Sequence, residues 1–174
     1  MIKKFFALLL LFILTFFTLT TETLAQKIGD SSPSATNTVS SFELFWPLSA
    51  GKTIDDPVYF LKTFKENLRG MLIFSEANKA DYAVYLGTKR ILEAEKLLKE
   101  NKKDFADKTL DKALEQFEIA QKNIEEASIK KMDNRDSANI IKSRLNNLTN
   151  FLSTLNSVKA NEVLEKVKEL NIKL

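Results

Sequence analysis

Residues 80–98, ADYAVYLGTKRILEAEKLL, decide the fold, because their apolar side chains recur at the spacing of one helical face. That face consists of Ala80, Ala83, Val84, Gly87, Ile91, Ala94 and Leu98. A glycine inside a helix costs about 1 kcal/mol relative to alanine. Gly87 among small neighbours therefore predicts the close approach of another helix. Ser75 is a suitable N-cap, and the pattern predicts a helix over residues 76–101.

Three further helices are predicted around this one, over residues 57–70, 105–131 and 137–171. The third helix carries a stripe of apolar residues at helical spacing, namely Ala106, Leu110, Ala113, Leu114, Phe117, Ala120, Ile124 and Ala127. In the fourth, the apolar spacing slips at Val158 and then resumes. The motif NKKD at residues 101–104 predicts a tight turn, and short connections make neighbouring helices antiparallel.

The predicted fold class is all-α, an antiparallel helical hairpin extended to a three- or four-helix bundle over residues 42–174. No run of alternating apolar residues stands out, so no sheet is expected. Each apolar stripe is about one face wide, and no helix of this kind is stable alone.

The first 25 residues resemble a signal peptide. Lys3 and Lys4 precede an apolar run of about 15 residues, shorter than the roughly 20 that span a bilayer. Small residues near Ala25 favour cleavage before Gln26. An uncleaved N-terminal anchor is the alternative, because the cleavage motif is imperfect. The expected location is extracytoplasmic, either secreted or tethered to the outer face of the cytoplasmic membrane.

Residues 26–41, QKIGDSSPSATNTVSS, are rich in serine and threonine and poor in apolar side chains. Such a segment buries too little surface to offset its own ordering entropy. We expect a disordered spacer that tethers the folded part.

Composition excludes several classes of function. The chain of 174 residues contains neither cysteine nor histidine, which removes thiol nucleophiles, serine–histidine triads and zinc sites built on those residues. Its net charge of +3 gives no basic footprint for nucleic acid. No glycine-rich phosphate-binding motif occurs. Acidic pairs such as Asp107 with Asp111 are interpreted as side chains on solvent-exposed helix faces. No cofactor, metal site or catalytic residue is predicted.

An aromatic segment, residues 42–74, precedes the long helices. Asp56 before Pro57 is a helix start signal. Phe60, Leu61, Phe64, Leu68, Met71 and Leu72 then recur at helical spacing. This stripe is expected to cover the bundle core. Two alternatives are an amphipathic helix on a membrane surface and a helix that docks into a partner's groove.

The pair Arg90 and Glu93 is the most site-like feature of the long helices. An arginine three residues before a glutamate could clamp a ligand carboxylate, but an ion pair that locks two helices is favoured. The residues proposed as an interaction surface are Trp46, Tyr59, Phe60, Phe64, Arg90 and Glu93.

Residues 56–124 resemble a domain of unknown function found in exported bacterial proteins. That family has a D-x-P-x-Y-x-L-K opening, then a T-F-D-P-x-x-K-A junction, and then an A-x-x-R-L-x-E-A helix. The matching residues are Pro57, Phe60, Leu61, Lys62, Phe74, Lys79, Ala80, Arg90, Glu93, Ala94 and Leu97. Ser75 departs from the family's Phe-Asp-Pro junction, and Gly87 stands where alanine is commoner. The resemblance implies a helical domain outside the cytoplasm and carries over no catalytic residue.

The leading functional hypothesis is an exported, non-enzymatic helical protein that acts through contacts with an envelope protein. The alternative is a sensor or carrier that binds a small apolar ligand between helices, and a hydrolase that uses carboxylates alone is a third. Two further possible partners are a membrane surface and a second copy of the chain that pairs through the fourth helix.

Overall fold

Five helices follow one another in the computed structural model, which describes Phe45, residues 48–129 and residues 135–174. They are α1 (Tyr59–Met71), α2 (Glu76–Lys99), α3 (Lys103–Ile129), α4 (Arg135–Leu152) and α5 (Val158–Ile172). The described residues contain no strand and fall within one compact unit, Asn37–Leu174. The predicted all-α bundle is confirmed. The predicted signal segment and spacer lie outside the described residues.

The hairpin of α2 and α3 is closed by a left-handed turn at Asn101, whose φ is 58°. Asn101 donates its backbone N–H to the carbonyl of Leu98 at 3.0 Å, and Lys102 donates to that of Leu97 at 2.8 Å. This pair of bonds is the Schellman motif, and asparagine tolerates the left-handed conformation better than most residues. The turn begins α3 at Lys103, so the two helices pack side by side.

One hydrophobic core joins four of the helices. Its α2 and α3 members include Ile91, Leu97, Leu110 and Phe117, all with no exposed surface. Helix α4 packs against α2, α5 packs against α3, and α4 and α5 contact each other. The predicted apolar stripes of α2 and α3 therefore face this core.

The predicted fourth helix is divided into α4 and α5 at residues 153–157. Ser157 has extended backbone angles, and its hydroxyl accepts a hydrogen bond from the N–H of Ala160 at 3.4 Å. An N-cap of this kind starts a new helix. The break coincides with the slip in apolar spacing at Val158, whose side chain is 87% exposed. Among the described residues, no helix combines the length and apolar character needed to cross a bilayer.

Phe45 connects the aromatic segment to the bundle. Its ring meets that of Phe151 edge to face, with centroids 5.6 Å apart, and it is nearly buried. Part of the aromatic segment thus contributes to the core, as the sequence suggested, whereas Trp46 lies outside the described residues.

Candidate functional site

Helix α1 lies on the bundle with its polar side inward. Its buried residues are Tyr59 and Glu66, whereas each of its leucine, methionine and phenylalanine side chains is half exposed or more. The prediction that this apolar stripe covers the core is wrong. The part of α2 beneath α1 carries Lys89, Arg90 and Glu93, and buried charges of this kind require counter-charges rather than hydrocarbon.

Six side chains meet between α1 and α2 and form what we call the ion-pair cluster. They are Tyr59, Lys62 and Glu66 from α1, and Lys89, Arg90 and Glu93 from α2. The α1 members are spaced three and four residues apart, which places them on one side of the helix. Three cations thus surround two carboxylates.

Glu93 is the most deeply buried member, with no exposed surface. Its Oε1 accepts hydrogen bonds from Nη1 of Arg90 at 2.6 Å and from Nζ of Lys62, and its Oε2 accepts one from the Tyr59 hydroxyl at 3.4 Å. Lys89 lies one helical turn before Glu93 on α2, but it binds Glu66 instead.

Glu66 is the partner that α1 supplies to Lys89 and Arg90. Its Oε1 accepts from Nζ of Lys89 at 2.8 Å, and its Oε2 accepts from Nη2 of Arg90. The hydroxyl of Tyr82 donates to the backbone carbonyl of Glu66 at 2.9 Å. Arg90 therefore bridges two carboxylates on two helices, which is the geometry that its planar fork of donors favours.

The ring of Tyr59 lies beside both cations that contact Glu93. Nζ of Lys62 is 5.3 Å and Cζ of Arg90 is 5.5 Å from the ring centroid, within the range of cation–π attraction. Burial and the charge of Glu93 raise the pKa of the Tyr59 hydroxyl, so it stays protonated and donates.

The two carboxylates of the cluster have pKa values shifted in opposite directions. Burial raises the pKa of Glu93 above its ordinary 4.5 despite the nearby Arg90 and Lys62. Burial also acts to raise the pKa of Glu66, but the hydrogen bond from Lys89 and the charge of Arg90 together hold it below 4.5. Burial lowers the pKa of Lys62 in turn. Protonation of this cluster is therefore coupled to the docking of α1.

The outward side of α1 is the second feature of the site. We call Phe60, Leu61, Phe64, Leu68, Met71 and Leu72 the apolar face of α1; their exposed fractions run from 50% to 77%. Lys65 and Arg69 border this face and are exposed. The only carboxylate in α1 is Glu66, which is buried. An exposed apolar patch of this kind is a candidate interaction site.

A groove of about 400 Å³ runs between α1, α2 and α3. Met71, Tyr82, Leu86 and Ile119 supply most of its apolar lining, and Glu66 reaches one wall. Glu93 does not line it. The described residues hold no group of three or more acidic, histidine or cysteine side chains placed to bind a metal ion.

The proposed interaction residues separate into two groups. Tyr59, Arg90 and Glu93 are buried in the ion-pair cluster, and Phe60 and Phe64 belong to the apolar face of α1. The Arg90–Glu93 ion pair is present, and both carboxylate oxygens of Glu93 accept hydrogen bonds from protein side chains.

Sequence reasoning missed Glu66, Lys62 and Lys89 as members of a site. The available signal was the register of α1, where Tyr59, Lys62 and Glu66 lie on one side and the apolar residues lie opposite. Amphipathicity indicates two faces but not which of them meets the bundle.

Lys62, Arg90 and Glu93 are among the residues that carry the resemblance seen in the sequence, and the three side chains meet in the ion-pair cluster. The family described as Domain of unknown function (DUF5667) matches residues 51–171 of the chain. The chain therefore belongs to this family. No curated protein and no solved structure matches it.

Proposed function

We propose that this chain is an exported, non-enzymatic helical protein that acts by contact with another component of the cell envelope. The apolar face of α1 is the surface that makes the contact. A protein partner is the expectation that the sequence raised, and the apolar face is consistent with it.

The observation that carries this proposal is the inverted docking of α1. A free amphipathic helix would turn its apolar face to the bundle, because burying one large apolar side chain is worth about 1.5–3 kcal/mol. Here Glu66 and Tyr59 point inward instead and are held by Lys89, Arg90 and Glu93. Loss of one partner from a buried ion pair costs about 3–5 kcal/mol, so the cluster resists rotation of α1.

Photochemical cross-linking in intact cells tests the proposal. A photoreactive amino acid replaces Leu61 on the apolar face, and the matched control carries it at Val158 on α5, which is more exposed (87% against 55%). We expect position 61 to form adducts with protein or with lipid that disappear when Phe60→Ser and Phe64→Ser are added. Equal adducts from both positions, or none from position 61, would contradict the proposal. Cell fractionation with the same strains tests the extracytoplasmic location.

A second candidate function, binding of a small apolar ligand, is supported by the groove between α1, α2 and α3. Its volume of about 400 Å³ is within the range of small-molecule sites. A fluorescent apolar probe such as N-phenyl-1-naphthylamine measures this function. We expect Ile119→Trp to weaken probe binding by filling the groove and Val158→Trp to leave it unchanged; equal binding by the two variants would contradict a carrier role.

A further inference from the structure

We propose that the apolar face of α1 binds the surface of a membrane that contains anionic phospholipids. This inference rests on the proposed function and names the occupant of its contact surface. Three observations carry it: the charge of the residues around that face, the shape of the face, and the contacts that one flank of α1 makes with the rest of the chain.

The apolar face forms one uninterrupted arc on the outer side of α1. At about 100° per residue, its six members span roughly 120° of the helix, opposite Tyr59 and Glu66. The helix has 13 residues, so the face is about 20 Å long. Phe74, three residues past the end of α1, is 85% exposed. An interfacial helix buries an arc of this kind at the boundary of headgroups and acyl chains.

The charges that border the arc select a negatively charged surface. Lys65 and Arg69 are exposed next to it, and the single carboxylate of α1 is neutralised inside the ion-pair cluster. Upstream, Asp55 and Asp56 are paired with Lys102 and Lys52 at 2.6 and 2.7 Å. A second copy of α1 placed against this face would bring cations towards cations. Lipid phosphates would instead pair with both side chains.

One flank of α1 contacts the rest of the chain, which favours a flat acceptor over a protein groove. The guanidinium of Arg69 lies over the ring of Tyr82 on α2 at 5.5 Å, and Nζ of Lys62 donates to the carbonyls of Ala50 and Lys52. Lys62 and Arg69 lie seven residues apart on the same side of α1, so this flank contacts the rest of the chain while Arg69 stays exposed. A groove that accepts a helix has walls along its sides, whereas a bilayer surface needs only the outward arc that remains.

A site-specific label tests the inference on the full chain. The protein has no cysteine, so Leu68→Cys carries a single nitrobenzoxadiazole dye at the centre of the apolar face, and Val158→Cys is the matched control. Vesicles consist of phosphatidylcholine alone or of equal parts phosphatidylcholine and phosphatidylglycerol. This readout reports the depth of α1 itself, whichever other part of the chain holds the protein on the vesicle.

We expect the dye at position 68 to shift to shorter wavelength on anionic vesicles and to be quenched by nitroxides on the acyl chains, while the dye at position 158 does neither. Adding Lys65→Ala and Arg69→Ala should weaken the insertion of α1 roughly thirtyfold, because each cation near an anionic surface contributes about fivefold. The control pair Lys108→Ala and Lys122→Ala removes the same charge from exposed positions on α3 and should leave insertion unchanged.

Three results would overturn the inference. One is a dye at position 68 that stays in water on both vesicles. Another is equal insertion into both lipid compositions, which would show that α1 does not require anionic lipid. The third is a shift before vesicles are added, which means that a second copy or another part of the chain covers the face. If α1 stays out of lipid while position 61 gives face-dependent protein adducts in cells, the proposed function stands and the lipid assignment falls.

Discussion

Gly87 and Phe117 face each other across the α2–α3 hairpin with no room for a methyl group between them. A Cβ on Gly87 would lie 2.8 Å from Cζ and 2.9 Å from Cε1 of the Phe117 ring, which has no exposed surface. The absence of a side chain at Gly87 therefore lets a full aromatic ring enter the core.

We expect Gly87→Ala to lower the free energy of unfolding by about 1 kcal/mol. The alanine gains about 1 kcal/mol of helix propensity, but overpacking a buried site costs about 1–3 kcal/mol, and the enclosed ring cannot move aside. Urea denaturation measures the difference. Gly70→Ala is the matched control, because its Cβ would make only an ordinary contact with Tyr82 at 3.4 Å. An unfolding free energy as high as that of the unchanged protein would mean that the ring is displaced without cost.

Glu66→Gln should release α1 from the bundle without unfolding the other helices. The amide cannot satisfy both Lys89 and Arg90, and loss of one partner from a buried ion pair costs about 3–5 kcal/mol. Hydrogen exchange should show α1 amides opening more than a hundredfold faster, since 1.4 kcal/mol is a factor of ten. Amides of α2 and α3 in the core should keep their protection.

The matched control for this variant is Glu162→Gln, which breaks an exposed pair with Lys159. Exposed pairs contribute little, so its exchange pattern should match that of the unchanged protein. Equal protection of α1 in both variants would show that the ion-pair cluster does not hold the helix.

The core of α2 and α3 could be predicted from sequence because its evidence is local. The stripe around Ile91 and the stripe around Phe117 each follow a period of 3.6 residues, and burying large apolar area dominates the energetics of such helices. The close approach at Gly87 followed from the same pattern.

The docking of α1 could not be predicted in the same way. Its direction depends on Lys89, Arg90 and Glu93, which lie 23 to 34 residues from their α1 partners in sequence. Both orientations of α1 fit the same hydrophobic pattern. The inward orientation of the polar side of α1 is decided by α1 and α2 together.

Phe45→Ala should lower the free energy of unfolding by about 3 kcal/mol, because removing a buried phenylalanine side chain costs about 3–5 kcal/mol. The lost contact is the edge-to-face packing on Phe151. Thermal or urea unfolding provides the measurement. Phe74→Ala removes the same chemical group from a position that is 85% exposed, and it should change the stability by less than about 0.5 kcal/mol. Equal effects of the two substitutions would show that the aromatic segment does not close the core.

The opposite pKa shifts in the ion-pair cluster predict how α1 docking depends on pH. The raised pKa of Glu93 contributes stability below the ordinary value of 4.5, and this contribution is lost as pH rises through the folded pKa. The lowered pKa of Glu66 contributes stability above 4.5, and this contribution is lost as pH falls through the folded pKa. Docking of α1 should therefore be strongest near pH 4.5 and weaken in both directions.

Hydrogen exchange of α1 amides across this range, corrected for the pH dependence of intrinsic exchange, measures the opening free energy. Glu93→Gln should flatten the change between pH 4.5 and neutrality, because the group that titrates there is gone. Glu66→Gln should flatten the change below 4.5. Differences from the unchanged protein isolate each group from surface carboxylates such as Asp56, whose pKa is also lowered by the hydrogen bond from Lys52. A docking free energy that rises steadily from pH 4.5 to 7 would contradict the raised pKa of Glu93, since it would require the buried carboxylate to prefer its charged form.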